Sequence, residues 1–278
     1  MAEFEELSVA ISGGYPAYAR YWEPEAPRGA VLYHHGIQSH CGWYETSAWR
    51  LAQAGFAVLQ IDRRGSGQNR ADRGHAESAD QLIEDSHRAG SFLMHRSGFD
   101  GFHLVGVSWG GKLAVVHHVV QPEPVRSLSL VTPGLFPKIG VSRGQMAKIG
   151  FAMLYEPRTH FDIPLNDANL FTTSPKWQAF FRADEPTLRQ CTAGFYLASR
   201  RMDKLVAKLK DSPPVPVHLF LAGDERIVDN DKTASFVESL NWPETKITRY
   251  AEARHSVEFE QDPEIYFRDL VGFIAQHT

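Results

Sequence analysis

Cysteine is scarce in this 278-residue chain: Cys41 and Cys191 are the only two, and they lie far apart in sequence. Two such residues build neither a disulfide framework nor a zinc site, and they suit a reducing compartment. Long apolar runs are missing as well. The opening Met-Ala-Glu-Phe-Glu-Glu is acidic and no extended hydrophobic stretch follows it. Neither a secretory signal nor a membrane anchor is therefore visible, and a cytoplasmic location is expected. Charge of one sign is nowhere concentrated: 29 Lys and Arg against 33 Asp and Glu leave a formal net charge of −4. Without clustered cations to displace counterions from phosphates, nucleic acid is disfavoured as a partner. Internal repeats and low-complexity tracts are also absent, which sets aside solenoids and linker-joined arrays.

What the chain does have is 43% hydrophobic and 22% charged residues, the composition of a globular protein. It also has a rhythm. Short β-branched or aliphatic runs at 30–33, 57–61, 102–107, 127–131 and 215–221 read as strands buried on both faces. Between them, 46–54, 79–95, 110–120, 230–240 and 263–277 have helical spacing. Strand alternating with helix implies crossover connections, hence a largely parallel sheet with helices on both faces. The runs 7–12 and 17–22 have no helix between them and read as an antiparallel hairpin at one edge. After Val131-Thr132-Pro133-Gly134 the rhythm breaks. From 138 to 212 the chain is irregular, aromatic-rich and helix-like, too long for a plain loop, and it reads as a lid.

The most informative stretch is Leu104-Val105-Gly106-Val107-Ser108-Trp109-Gly110-Gly111, in which an apolar strand ends in G-x-S-x-G and an apolar helix follows at once. Alone the motif is weak; the strand–turn–helix setting is what a nucleophile elbow requires. Gly106 and Gly110 leave room for neighbouring backbone, and the following helix brings free N–H groups to where an oxyanion would form. The plainer role for Ser108 is that of a helix N-cap.

A serine hydroxyl needs a base, and in this kind of fold the histidine comes last in the chain. Of 13 histidines, His255 follows an apparent last strand, 246–250, and precedes the C-terminal helix. The acid should follow a strand between the two; after Val217-His218-Leu219-Phe220-Leu221-Ala222-Gly223 come Asp224, Glu225 and Asp229, which spacing does not rank. Upstream, Tyr33-His34-His35-Gly36-Ile37-Gln38 ends a strand in a glycine turn, which makes the Ile37 and Trp109 backbone N–H groups the candidate oxyanion hole. His34 and His35 are adjacent on a strand and point to opposite faces, so no metal and no cofactor are expected.

Taken together, 35–44, the Asp62-Arg63-Arg64-Gly65-Ser66-Gly67 turn, 106–111, 223–229 and His255-Ser256-Val257-Glu258-Phe259 resemble a known group. It is the monoacylglycerol-lipase, lysophospholipase and serine-aminopeptidase-like branch of the alpha/beta hydrolases. The likeness spans roughly 30–135 and 215–275. It implies an α/β fold with a mostly parallel eight-stranded sheet, a core of 1–137 and 213–278, and a helical cap inserted at 138–212. In such proteins an acid precedes an Arg-aliphatic-aliphatic-Asp run. Glu225 stands in that place, which favours it over Asp224 and leaves Asp229 structural, although the family more often has Asp there.

The resulting expectation is ester hydrolysis through an acyl-enzyme: Ser108 attacks, His255 takes the proton, and Glu225 orients the ring. The cap carries Phe151, Met153, Leu154, Tyr155, Phe161, Leu170, Phe171, Trp177, Phe180, Phe181, Phe195 and Tyr196. These either line a pocket for an apolar acyl or aromatic group or merely dock the cap. The same triad could serve amide or carbon–carbon bond hydrolysis or acyl transfer. Epoxide-hydrolase chemistry would need Asp at position 108. A non-catalytic binding protein is the reading from another class, and an intact Ser, acid and His set argues against it.

Overall fold

The computed structural model describes residues 3–278. Glu5–Ala10 (β1) and Pro16–Trp22 (β2) form the edge hairpin. Gly29–His34 (β3), Glu45–Gln53 (α1), Phe56–Ile61 (β4), Ala79–Ser97 (α2), Phe102–Val107 (β5), Trp109–Val120 (α3) and Val125–Val131 (β6) then alternate as the sequence pattern anticipates. Past a long insertion, Val217–Ala222 (β9), Asn230–Glu238 (α7), Thr245–Tyr250 (β10) and Glu264–Gln276 (α8) complete the core. One eight-stranded sheet results, in the order β1-β2-β4-β3-β5-β6-β9-β10, parallel from β4 through β10. Its β3, β4, β5 and β9 are buried along their whole lengths, as continuous apolar runs covered on both faces must be. Helix α3 is apolar almost all round because it is enclosed by β5 and β6 below, α2 beside it and an insertion helix above.

The insertion holds Arg143–Tyr155 (α4), His160–Asp162 (β7), Pro175–Ala183 (α5), Gln190–Thr192 (β8) and Ala193–Val206 (α6). The antiparallel β7–β8 pair was not expected; three-residue strands are too short to leave a period-2 signature. Strand β9 begins at Val217 rather than 215 because Pro214 and Pro216 have no N–H to give a ladder. Ser12 leaves the expected β1 for a turn, where its N–H donates to Asp85 and its carbonyl accepts from Arg64.

Most of the aromatic side chains of the insertion dock it on the core. The Trp43 ring stacks on Phe181 at 4.2 Å and meets Phe171, Phe180 and Phe259 within 6.2 Å, while Phe195 lies 5.2 Å from Trp109. Phe151, Leu154 and Tyr155 on α4 instead face outward, 66 to 77% exposed. Among the described residues no helix is long and apolar enough to cross a membrane.

Candidate active site

Loops leaving the C-terminal ends of β3, β5, β9 and β10 converge at one place, the crevice in which open α/β sheets bind ligands. Strand β5 ends at Val107 and α3 begins at Trp109, so the chain reverses within one residue. Ser108 takes φ 53° and ψ −120°, a conformation that costs a non-glycine residue about 1–3 kcal/mol. The reversal depends on close approach of backbone. A Cβ at Gly106 would lie 2.5 Å from the Gly110 carbonyl oxygen, and one at Gly110 only 2.4 Å from that of His34. Ser108 occupies the N-cap position of α3, yet its hydroxyl caps nothing. Its Oγ lies 2.8 Å from His255 Nε2 instead.

On the other side of the ring, His255 Nδ1 lies 2.9 Å from Glu225 Oε2. The second oxygen of Glu225 accepts the N–H groups of Ile227 at 2.7 Å and Val228 at 3.3 Å. Burial alone would raise the Glu225 carboxyl, but the facing His255 ring and these hydrogen bonds together hold it below the ordinary glutamate range. Asp224 points away and pairs at the surface with Arg226 and Arg254, at 2.7 and 3.2 Å. Asp229 caps α7 by accepting the Lys232 N–H at 3.1 Å. Of the three carboxylates left open by spacing, Glu225 is the one brought to the imidazole.

The other histidines near the sheet have partners of their own. His34 and His117 share the Ser86 hydroxyl, His103 meets Ser127, and His35 accepts the Arg63 N–H. Among the described residues no group of three or more His, Cys, Asp or Glu could hold a metal ion. Cys41 and Cys191 are buried free thiols.

Trp109 N–H opens the first turn of α3, where intrahelical partners are lacking. Gly36, just before Ile37, packs against the serine: a Cβ there would stand 3.3 Å from Ser108 Cβ. A Cβ at Gly134 would stand 3.2 Å from the Trp109 nitrogen. Two glycines thus border the space beside Oγ, where an oxyanion would need room. Beyond it lies a cavity of about 140 Å³, walled by Ile139, Val141 and Ile163 of the insertion and by Ile37, Ile227 and Val228 of the core. Of the large apolar insertion residues singled out in the sequence, Tyr196 alone lines it. Its polar end is Lys112 and Ser199; the buried Lys112 ammonium pairs with Asp203 on α6.

Three contributors escaped the sequence reading. Thr132 Oγ1 donates to the His255 carbonyl at 2.9 Å, and Gly134 packs against the Ser108–Trp109 backbone. Arg63 donates from its guanidinium to the Gly36 and Ile37 carbonyls at 3.2 and 2.9 Å. The first two lay in Thr132-Pro133-Gly134, a run noticed only as the end of the strand–helix rhythm.

Strand order, crossover connections and the elbow at the end of β5 define the chain as an alpha/beta hydrolase, an enzyme class. Within it, the chain belongs to the family described as serine aminopeptidase, S33, which matches residues 25–262. It stands in the monoacylglycerol-lipase-like branch that its motifs resemble. The monoacylglycerol lipase of Mycolicibacterium smegmatis is 22% identical over 276 residues, covering 98% of this chain and 97% of that one. The crystal structure of Paleococcus ferrophilus monoacylglycerol lipase superposes with a TM-score of 0.84 at 19% identity, over 94% of this chain and 99% of that one. A thermostable carboxyl esterase from Bacillus coagulans gives 0.83 at 16% identity, over 100% and 99%.

Proposed function

We propose that this protein is a serine hydrolase that cleaves a carboxylic ester of a small apolar acyl group. Ser108 is the nucleophile, His255 the general base and acid, Glu225 the orienting carboxylate, and the Ile37 and Trp109 N–H groups the oxyanion hole. The observation that carries this reading is the unbroken hydrogen-bonded line from Ser108 Oγ through His255 to Glu225, at 2.8 and 2.9 Å. As Oγ attacks the ester carbonyl, its proton passes to His255 Nε2, and Glu225 holds the imidazolium that forms. The tetrahedral oxyanion takes the two N–H groups, and the alcohol leaves with the proton from Nε2. Water then repeats the sequence on the acyl-enzyme and frees the acid. Residues 138–212 act as the lid, and the scarce, buried cysteines support a cytoplasmic setting.

Peptide hydrolysis is the second reading, favoured by the description of the family. Cavity chemistry weighs against it. An aminopeptidase must receive an α-ammonium, yet no carboxylate lines the cavity, and Asp203, beside its polar end, is already paired with Lys112. The serine at position 108 likewise supports ester over epoxide chemistry. At about 140 Å³ the cavity is smaller than the roughly 300–1,000 Å³ of drug-sized sites, so a short acyl chain fits and a long one needs the lid to move. Hydrolysis of p-nitrophenyl esters from acetate to palmitate, beside alanine p-nitroanilide, tests this. Short esters should turn over fastest, the anilide negligibly, and Ser108→Ala should lose at least about 10⁴-fold in kcat. Faster cleavage of the anilide than of any ester would reverse the choice of substrate.

A further inference from the structure

Arg63 follows β4 and is 8% exposed, yet among the described residues no carboxylate lies within 4.0 Å of its guanidinium. Its neighbour Arg64 is paired with Asp85 at 2.9 Å, and both oxygens of the adjacent Asp62 are taken by the backbone N–H groups of Cys41 and Gln68. An unpaired buried cation is costly, so its position calls for a reason. Burial lowers the Arg63 pKa to about 10, which leaves it charged at neutral pH.

What the guanidinium grips is informative. Nη1 donates to the Gly36 carbonyl at 3.2 Å and Nη2 to that of Ile37 at 2.9 Å, while the charge sits 4.7 Å over the Trp109 ring. The Gly36 carbonyl belongs to the same planar peptide as the Ile37 N–H, and in a trans peptide the two point in opposite directions. Holding that oxygen therefore aims the N–H the other way, and His35 Nδ1, 2.8 Å from the same oxygen, adds a second hold. Gly36 is the residue packed against Ser108.

We propose that Arg63 is a positioning residue of the oxyanion hole, a cation that aims and polarises the Ile37 N–H through the Gly36 carbonyl. The proposal rests on the ester-hydrolase reading above. A carboxylate partner would cancel the field; without one, the charge is compensated when the oxyanion develops, so the interaction is stronger in the transition state than in the ground state.

Arg63→Gln and Arg63→Lys, assayed on p-nitrophenyl butyrate, test it. Arg63→Gln should lower kcat by about 10²–10³-fold, the cost of one oxyanion donor, with KM within about threefold. Affinity for an acyl trifluoromethyl ketone, which forms a tetrahedral adduct with the serine, should fall by the same factor. Butyramide, a neutral ground-state analogue that forms none, should inhibit as before. Arg63→Lys should fall between, and methylguanidine should restore part of the activity of Arg63→Gly. A merely structural role would raise KM and weaken both inhibitors alike. A folded Arg63→Gln with wild-type kcat overturns the proposal; if that variant does not fold, an unchanged inhibitor ratio in Arg63→Lys does the same. Wild type inert on every ester overturns the parent reading and this one with it, whereas active wild type isolates the question to Arg63.

Discussion

Glu225 and Asp224 are neighbours in sequence with opposite surroundings. Asp224 is about half exposed and spends its charge on two arginines, a contact that solvent screens to little energy. Glu225 is buried against His255, with its second oxygen fixed by two backbone N–H groups. Its carboxyl, held below the ordinary glutamate range, stays ionised where the ring needs a countercharge. Glu225→Gln should therefore lower kcat by about 10²–10⁴-fold by losing control of the imidazole tautomer and its cation. Asp224→Asn should change kcat by less than about threefold, as suits an exposed ion pair. Steady-state kinetics of both on one ester decide it: a dead Asp224→Asn beside an active Glu225→Gln would exchange their roles.

Between elements, the join of insertion to core turns on Trp43. Its ring lies nearly parallel to Phe181, and its indole N–H donates to Asp184, which also accepts from Thr187 Oγ1 at 2.6 Å and faces His40 at 3.0 Å. Burial would raise the Asp184 carboxyl, but hydrogen bonds from His40, Thr187 and Trp43 hold it at about 2. The same patch touches the site, because Ser256 N–H donates to the Phe171 carbonyl beside His255. Trp43→Ala removes a side chain that is 4% exposed, a truncation that costs about 3–5 kcal/mol in a core. Hydrogen exchange should accelerate in peptides spanning 168–192 and around 255–259, with the β3 and β5 amides unchanged. Exchange that rises uniformly across the sheet would mean that insertion and core unfold as one unit.

For the molecule as a whole, Glu258 links pH to stability. It is buried between α1 and the last loop, where it accepts from the Ser47 hydroxyl at 2.5 Å, and burial pushes its pKa up to about 8. A carboxyl whose folded pKa is raised binds its proton more tightly folded than unfolded, so its contribution is full at low pH and is lost as pH climbs from about 4.5 to 8. At about 1.36 kcal/mol per unit, the change is on the order of 3–5 kcal/mol. Glu258→Gln keeps the shape and removes the titration. Its Tm should gain on that of the wild type as pH rises from 5 to 9, whereas parallel Tm curves would assign the pH dependence to other groups.

The alternation of buried strands and helices, the edge hairpin and the G-x-S-x-G turn were legible in the sequence because each depends on residues within one turn or one strand of each other. So was the place of His255, since a loop after the last strand is a matter of chain order. The acid was legible only through the family resemblance, which favours Glu225; by spacing alone Glu225 and Asp224 differ only in which way the turn after β9 presents them, and that depends on a ring 30 residues onward. Arg63 was not legible, because its grip on Gly36 and Ile37 crosses 27 and 26 residues and needs β3 and β4 in register. The insertion aromatics were the hardest to read. Composition marks them as apolar, but whether such a ring lines a cavity or seats a helix depends on which surface it meets. Tertiary packing sent Phe171, Phe180 and Phe181 to Trp43 and, of the insertion aromatics, left only Tyr196 among the mainly aliphatic side chains beside Ser108.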